Sequence, residues 1–213
     1  MKTLLQILTD VNSHIDLDAS LPTGTELTTR VNYVNQAIWD ANSIGQLKEF
    51  ETTYSASATS SSIPMPANFK DFTSAPQLLL SSGSWESYPL IAPSDIYNYD
   101  SSEKYSYITG NPSSRYTLVL NNYTANATLS FSYQRFPSGM ATYTDICELS
   151  DPEYVVLQTS AYVLQGRDDA RFPILTAQAQ QRLANMIGWD NKKQRGSVNH
   201  TRRIGAGSYS IGS

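Results

Sequence analysis

Hydrophobic residues change period twice along this chain, from helical to alternating near residue 49 and back to helical near residue 150. A segment patterned for one element cannot bury a single face as the other, so this change constrains the fold before anything else does. At the N-terminus, Thr3 and Gln6 have capping-box spacing, and Leu4, Leu8, Val11 and Ile15 recur at helical intervals before Asp16, Asp18, Ser20 and Pro22 end the pattern. A second helix is predicted from Thr23, with Glu26 three residues on. Its apolar stripe is Leu27, Val31, Val34, Ile38 and Ala41, and Gly45 stops it. Joined by a short linker, these two helices are expected to pack as an antiparallel pair.

From about residue 49 the chain is Thr- and Ser-rich, and Ile63-Pro64-Met65-Pro66 cannot be helical. Short runs follow at 77–80, 85–88, 105–108, 116–120 and 128–136, with turn chemistry at Gly110-Asn111-Pro112-Ser113 and Asn121-Asn122. Leu129, Phe131, Tyr133 and Arg135 alternate with polar residues, which puts one face on a core. Helix returns at Ser150-Asp151-Pro152-Glu153, where a cap, a first-turn proline and a first-turn acid coincide. It is expected to run through Val155, Val156, Leu157, Ala161 and Leu164 to Gly166. A last helix follows, opened by Asp168 and Asp169, with Leu175, Ala179, Leu183 and Met186 as its stripe. Beyond Trp189 no apolar period remains, so residues 190–213 are expected to be extended.

The predicted fold class is therefore α+β: an N-terminal helix pair (1–48) and a C-terminal helix pair (150–189) packed as one helical bundle, with an inserted small antiparallel β unit (49–149) and an extended C-terminal arm (190–213). With 213 residues there is enough chain for a real core without staples. Charged residues are only 16%, against roughly 25% in typical soluble proteins, and Ser and Thr, 47 residues together, fill part of the gap. Such a hydroxyl-rich surface suits short strands and contact faces better than a solvated helical enzyme. The charge is also unevenly placed. Residues 1–189 carry a net −8 and residues 190–213 a net +4, from Lys192, Lys193, Arg195, Arg202 and Arg203 against Asp190. A basic tail on an acidic body points to a partner.

Several functions are excluded or disfavoured. One cysteine, Cys147, cannot form an internal disulfide, and two histidines, His14 and His200, give no zinc-site spacing. No stretch approaches a membrane span, and Gln6 and Asp10 interrupt the N-terminal apolar run too early for a signal peptide, so a soluble chain made in a reducing cytoplasm is expected. Asn-x-Ser/Thr matches at Asn122, Asn126 and Asn199 then read as chance in a Thr-rich sequence. There is no Gly-x-Ser-x-Gly elbow, Cys147 has no basic neighbour, and the acid pairs Asp16/Asp18 and Asp168/Asp169 flank helix ends, where capping explains them. Gly205, Gly207 and Gly212 resemble a nucleotide loop only in composition, with no strand before them or helix after. No catalytic residue, cofactor or metal is expected.

The ordered set of motifs resembles the head-to-tail adaptor (connector) proteins of tailed bacteriophages. The residues that carry the resemblance are the helix with Val31-Asn32-Tyr33-Val34-Asn35-Gln36-Ala37 and Trp39, and the extended step Ile63-Pro64-Met65-Pro66-Ala67-Asn68-Phe69. Tyr105 to Gly110 and Leu118-Val119-Leu120 follow in order, and last comes the aromatic strand Leu129 to Pro137 with its Tyr133-x-Arg135-x-Pro137 ending. The resemblance spans nearly the whole chain.

It implies a virion structural protein rather than an enzyme: a homo-oligomeric ring, usually of twelve copies, in the neck between head and tail. The ring sits under the portal protein, meets a tail or nozzle protein below, and extends the channel through which double-stranded DNA passes without specific binding. Assembly would take place in the host cytoplasm, with no membrane involved. The C-terminal arm would dock on the portal, with Lys192, Lys193, Arg195, Asn199, His200, Arg202, Arg203 and Tyr209 as its anchors. The alternative is a tyrosine-rich glycan-binding or adhesion module of a virion, since hydroxyl and aromatic surfaces also bind sugars. A glycan hydrolase would rest on the acid pairs alone.

Overall fold

In a computed structural model of the chain, which describes residues 1–16, 20–111 and 114–203 with side chains as far as residue 190, the first helix opens on the capping box that its spacing predicts. The Thr3 N–H donates to Gln6 Oε1 at 2.9 Å and the Gln6 N–H to Thr3 Oγ1 at 3.3 Å. Two backbone donors that a helix start leaves orphaned are thereby satisfied. Helix α1 spans Leu4–Asp16 and buries Leu4, Ile7, Leu8, Val11 and Ile15.

Helix α2 spans Gly24–Ile44 and buries Val34, Ala37, Ile38 and Ala41. Thr23 occupies its N-cap position but makes no side-chain cap bond. The buried face is turned from the expected stripe: Leu27 and Val31 are half-buried, while Arg30 is only 2% exposed. A guanidinium is tolerated there because acceptors surround it. Arg30 donates to Asn12 Oδ1, to Asp16 Oδ2 at 3.2 Å and to Glu26 Oε1 at 2.7 Å. Arg167 reaches the same two carboxylates, and its guanidinium holds the Asp16 carboxyl below the usual range.

Helix α3 spans Pro152–Gly166, with the Asp151 side chain capping the Glu153 N–H at 3.2 Å. Every residue from Tyr154 to Ala161 is buried. A helix apolar nearly all round needs neighbours on several sides, and α3 has them: it packs against α1, α2 and the last helix, α4 (Phe172–Arg203). This corrects the expected pairing. Among the described residues α1 and α2 do not pack along each other; each lies against α3, and Arg30 bridges them.

The second correction concerns the tail. Helix α4 does not stop at Gly188 but continues through Arg203, so residues 190–203, expected to be extended, are helical. Lys, Gln and Arg are good helix formers, and cations in a last turn complement the helix dipole. Backbone propensity needs no apolar stripe, which is why periodicity missed it. Residues 204–213 of the expected arm lie outside the described residues.

Residues 138–149 belong with the helices. Asn35 holds both backbone groups of Met140, accepting its N–H at 2.7 Å and donating to its carbonyl at 3.0 Å. The Leu4 N–H donates to Asp145 O at 2.8 Å, and the Cys147 N–H to Lys2 O at 3.0 Å. The helical unit thus comprises Met1–Glu49 and the chain from Ser138 onward, and Phe50–Pro137 forms a second unit.

In that second unit every pairing between strands is antiparallel, and a single parallel bridge joins Leu90 to Ser106. Strands β1 (Glu51–Ser57), β2 (Ser62–Pro64), β3 (Phe69–Phe72), β4 (Gln77–Leu79), β5 (Trp85–Ser87), β6 (Ser106–Asn111), β7 (Arg115–Leu120) and β8 (Thr128–Arg135) form two sheets. One runs β1-β8-β4-β5, with β3 also on β8; the other runs β2-β7-β6. Their inner faces share one core, with Ile63, Leu118 and Leu120 from one sheet against Phe69, Leu78, Leu129, Phe131 and Tyr133 from the other. The long central strand β8 alternates as its sequence predicts, and Phe131 stacks on Tyr54 with centroids 4.9 Å apart. Arg135, expected on the core face, is half-buried, with its guanidinium 5.8 Å from the Phe50 ring centroid.

Candidate functional site

Of the eight residues that the sequence singles out, seven lie on the last turns of α4, and Tyr209 lies outside the described residues. At about 100° per residue, positions 192, 193, 195, 199, 200, 202 and 203 fall within about half of the helix circumference. Positions 191, 194, 197, 198 and 201, all uncharged, take the other half. The helix therefore gathers what an extended peptide would alternate, and every base of the segment sits at a position on one side.

The root of this segment was not foreseen. Asp190, the one acid among the basic residues, is buried, and its Oδ2 accepts the Lys48 N–H at 2.9 Å. Arg182 Nη1 bonds Asp151 Oδ2 at 2.8 Å, which ties α4 to the cap of α3. Beside these groups is a cavity of about 380 Å³ lined by Asp151, Arg182, Asn185, Met186 and Trp189, a residue 66% exposed. The only sequence signal was Asp190 itself, an acid placed where the charge changes sign.

Among the described residues no Ser, Thr or Cys hydrogen-bonds a histidine. His14 Nε2 stands 3.8 Å from Glu153 Oε1, in a shallow site with Lys2, Asp10 and Ser13, but Ser13 Oγ donates to Thr9 O and is engaged there. Cys147 is buried, and burial pushes its thiol up, away from the reactive thiolate. Arg171 holds Asp169 down to about 2 and also bonds the His14 and Ile15 carbonyls, so this acid belongs to the junction of α1 and α4. Asp16 is engaged by Arg30 and Arg167; Asp18 and the glycines at 205, 207 and 212 lie outside the described residues. Among the described residues no cluster of His, Cys, Asp and Glu could hold a metal ion, and no helix is long and apolar enough to cross a membrane.

The distinctive chemistry among the described residues is a run of basic positions at the end of α4 in a chain whose other residues carry a net negative charge. Residues 2–204 match the family model described as SU10 adaptor protein, and the chain belongs to that family. The resemblance to the head-to-tail adaptors of phages is thereby borne out over both units. No curated protein matches the sequence.

Proposed function

We propose that copies of this chain form a closed ring of about twelve in the neck of a tailed phage, between the portal and a tail or nozzle protein, and that the ring continues the DNA channel. Membership of the adaptor family implies association with portal and tail proteins. The single observation that carries the finer reading is the charge split, −8 over residues 1–189 against +4 over residues 190–213, with the bases collected on one side of a helix. That segment is the portal-docking element: Lys192, Lys193, Arg195, Asn199, His200, Arg202 and Arg203 present it as a helix, and Tyr209 follows. Fourteen helical residues span about 21 Å, so the element reaches a groove as a helix rather than threading a crevice. Its complement is an acidic groove.

Charge reversal tests this directly. Arg202→Glu with Arg203→Glu should weaken attachment to portal-containing heads by more than about tenfold at low salt and much less at high salt, because added ions screen the lost attraction. Equal weakening at both salt levels would contradict an electrostatic dock. The body has a separate expectation. A ring of acidic copies presents phosphates with a like-signed wall, so protein truncated after Asp190 should show no duplex binding near physiological salt. Tight, salt-sensitive binding by that form in a fluorescence-anisotropy titration would favour a nucleic-acid-binding role instead.

A further inference from the structure

The β unit has five strand edges that no other strand covers among the described residues, and they are not alike. β2 is three residues long and ends in Pro64. β3 carries Lys70 and Asp71, and its register shifts between Phe69 and Asp71. β5 is three residues long, with Glu86 ion-paired to Lys104. Short length, proline, charge and bulges are the means by which a sheet edge is kept from recruiting other chains. β6 has none of these, and β1 has only the charge of its first residue, Glu51. β1 is seven residues long, and no charged residue occurs from Thr52 to Phe69; β6 is Ser-Tyr-Ile-Thr-Gly-Asn.

The free backbone groups on these two edges follow from alternation. Ala58 bonds toward the β8 side, its N–H to Ala127 O at 2.8 Å and its carbonyl accepting from Asn126 N–H at 3.0 Å. Thr52, Tyr54 and Ala56 therefore face β8, and Glu51, Thr53, Ser55 and Ser57 turn their N–H and C=O groups outward. On β6 the outward residue is Ser106, bonded to Pro89 O and Ile91 N–H, so Ile108 and Gly110 also turn outward and are met by no strand. Copies with acidic bodies repel, and they approach at least cost where neither presents a charge. Of the longer open edges, β6 and the stretch of β1 beyond Glu51 carry no charge.

We infer that a second copy of this chain is the occupant: the β1 edge of one copy pairs with the β6 edge of the next. Two different edges on one chain make a head-to-tail contact, which closes into a ring when its rotation closes. The inference rests on the ring reading above.

The test uses the full chain, alone and on portal-containing heads, read by native mass spectrometry and electron microscopy. Ser55→Lys places a charge on the open edge. Thr53→Pro removes an outward N–H and leaves the β1–β8 ladder intact. Both should keep the wild-type circular dichroism and melting temperature, yet raise the concentration for half-assembly at least about tenfold. Should Thr53→Pro fail to fold, Ser55→Lys decides alone. Because Ser55→Lys copies retain a β6 edge, mixing them with wild type should also lower the yield of closed rings. Folded variants that assemble like wild type would overturn the inference. Dimers that depend on β1 and never grow to rings would also overturn it, since they report β1 pairing with itself. A wild-type chain that stays monomeric in both settings would instead refute the ring reading.

Discussion

Replacing Val34 by Asp is expected to unfold the helical unit at moderate temperature. Val34 is fully buried on the inner face of α2, and α2 packs on α3, whose own faces are buried nearly all round. The substitution removes a buried valine and puts a carboxylate where water cannot reach it, at a cost of about 4 kcal/mol or more. Asn32→Asp introduces the same group two residues away at an exposed position and should change stability by less than about 0.5 kcal/mol. Thermal melts followed at 222 nm would decide it. A Val34→Asp protein as stable as Asn32→Asp would mean that α2 does not bury this face.

The second large effect is functional. Deleting residues 196–213 removes Asn199, His200, Arg202, Arg203 and Tyr209 but spares Asp190, whose bond to the Lys48 N–H anchors α4 at its root, and spares the Arg182–Asp151 pair. The body should therefore keep its melting temperature. Attachment to portal-containing heads should fall at least about a hundredfold, equivalent to about 2.7 kcal/mol, because the charge-assisted contacts of the helix end are gone. Co-sedimentation with purified heads measures it. A truncated protein that attaches as wild type would reduce the segment to a solvated helix end.

What could be read from sequence was what is decided locally. Thr3 and Gln6 cap each other across three residues, and Leu129, Phe131 and Tyr133 alternate because a strand with one wet face must. Arg30 was illegible because its burial depends on Asn12 and Asp16 of another helix as well as Glu26 of its own. Strand β3 escaped notice because Phe69-Lys70-Asp71-Phe72 breaks the alternation at its bulge. The helical end of α4 carries no apolar stripe, so a reading by periodicity ends at Trp189 while the backbone continues to Arg203. The bases of the candidate site were visible as composition. Their collection on one side of a helix, and the Asp190 root beneath them, depend on that continuation.

The most direct measurement of the adaptor reading is electron microscopy of tail-less heads incubated with the purified protein, averaged about the portal axis. The account predicts a ring of closed rotational symmetry seated on the portal vertex, with density for the end of α4 in a groove of the portal and a central channel left open. Heads with a bare portal vertex, alongside protein that is monomeric and binds glycans, would contradict it.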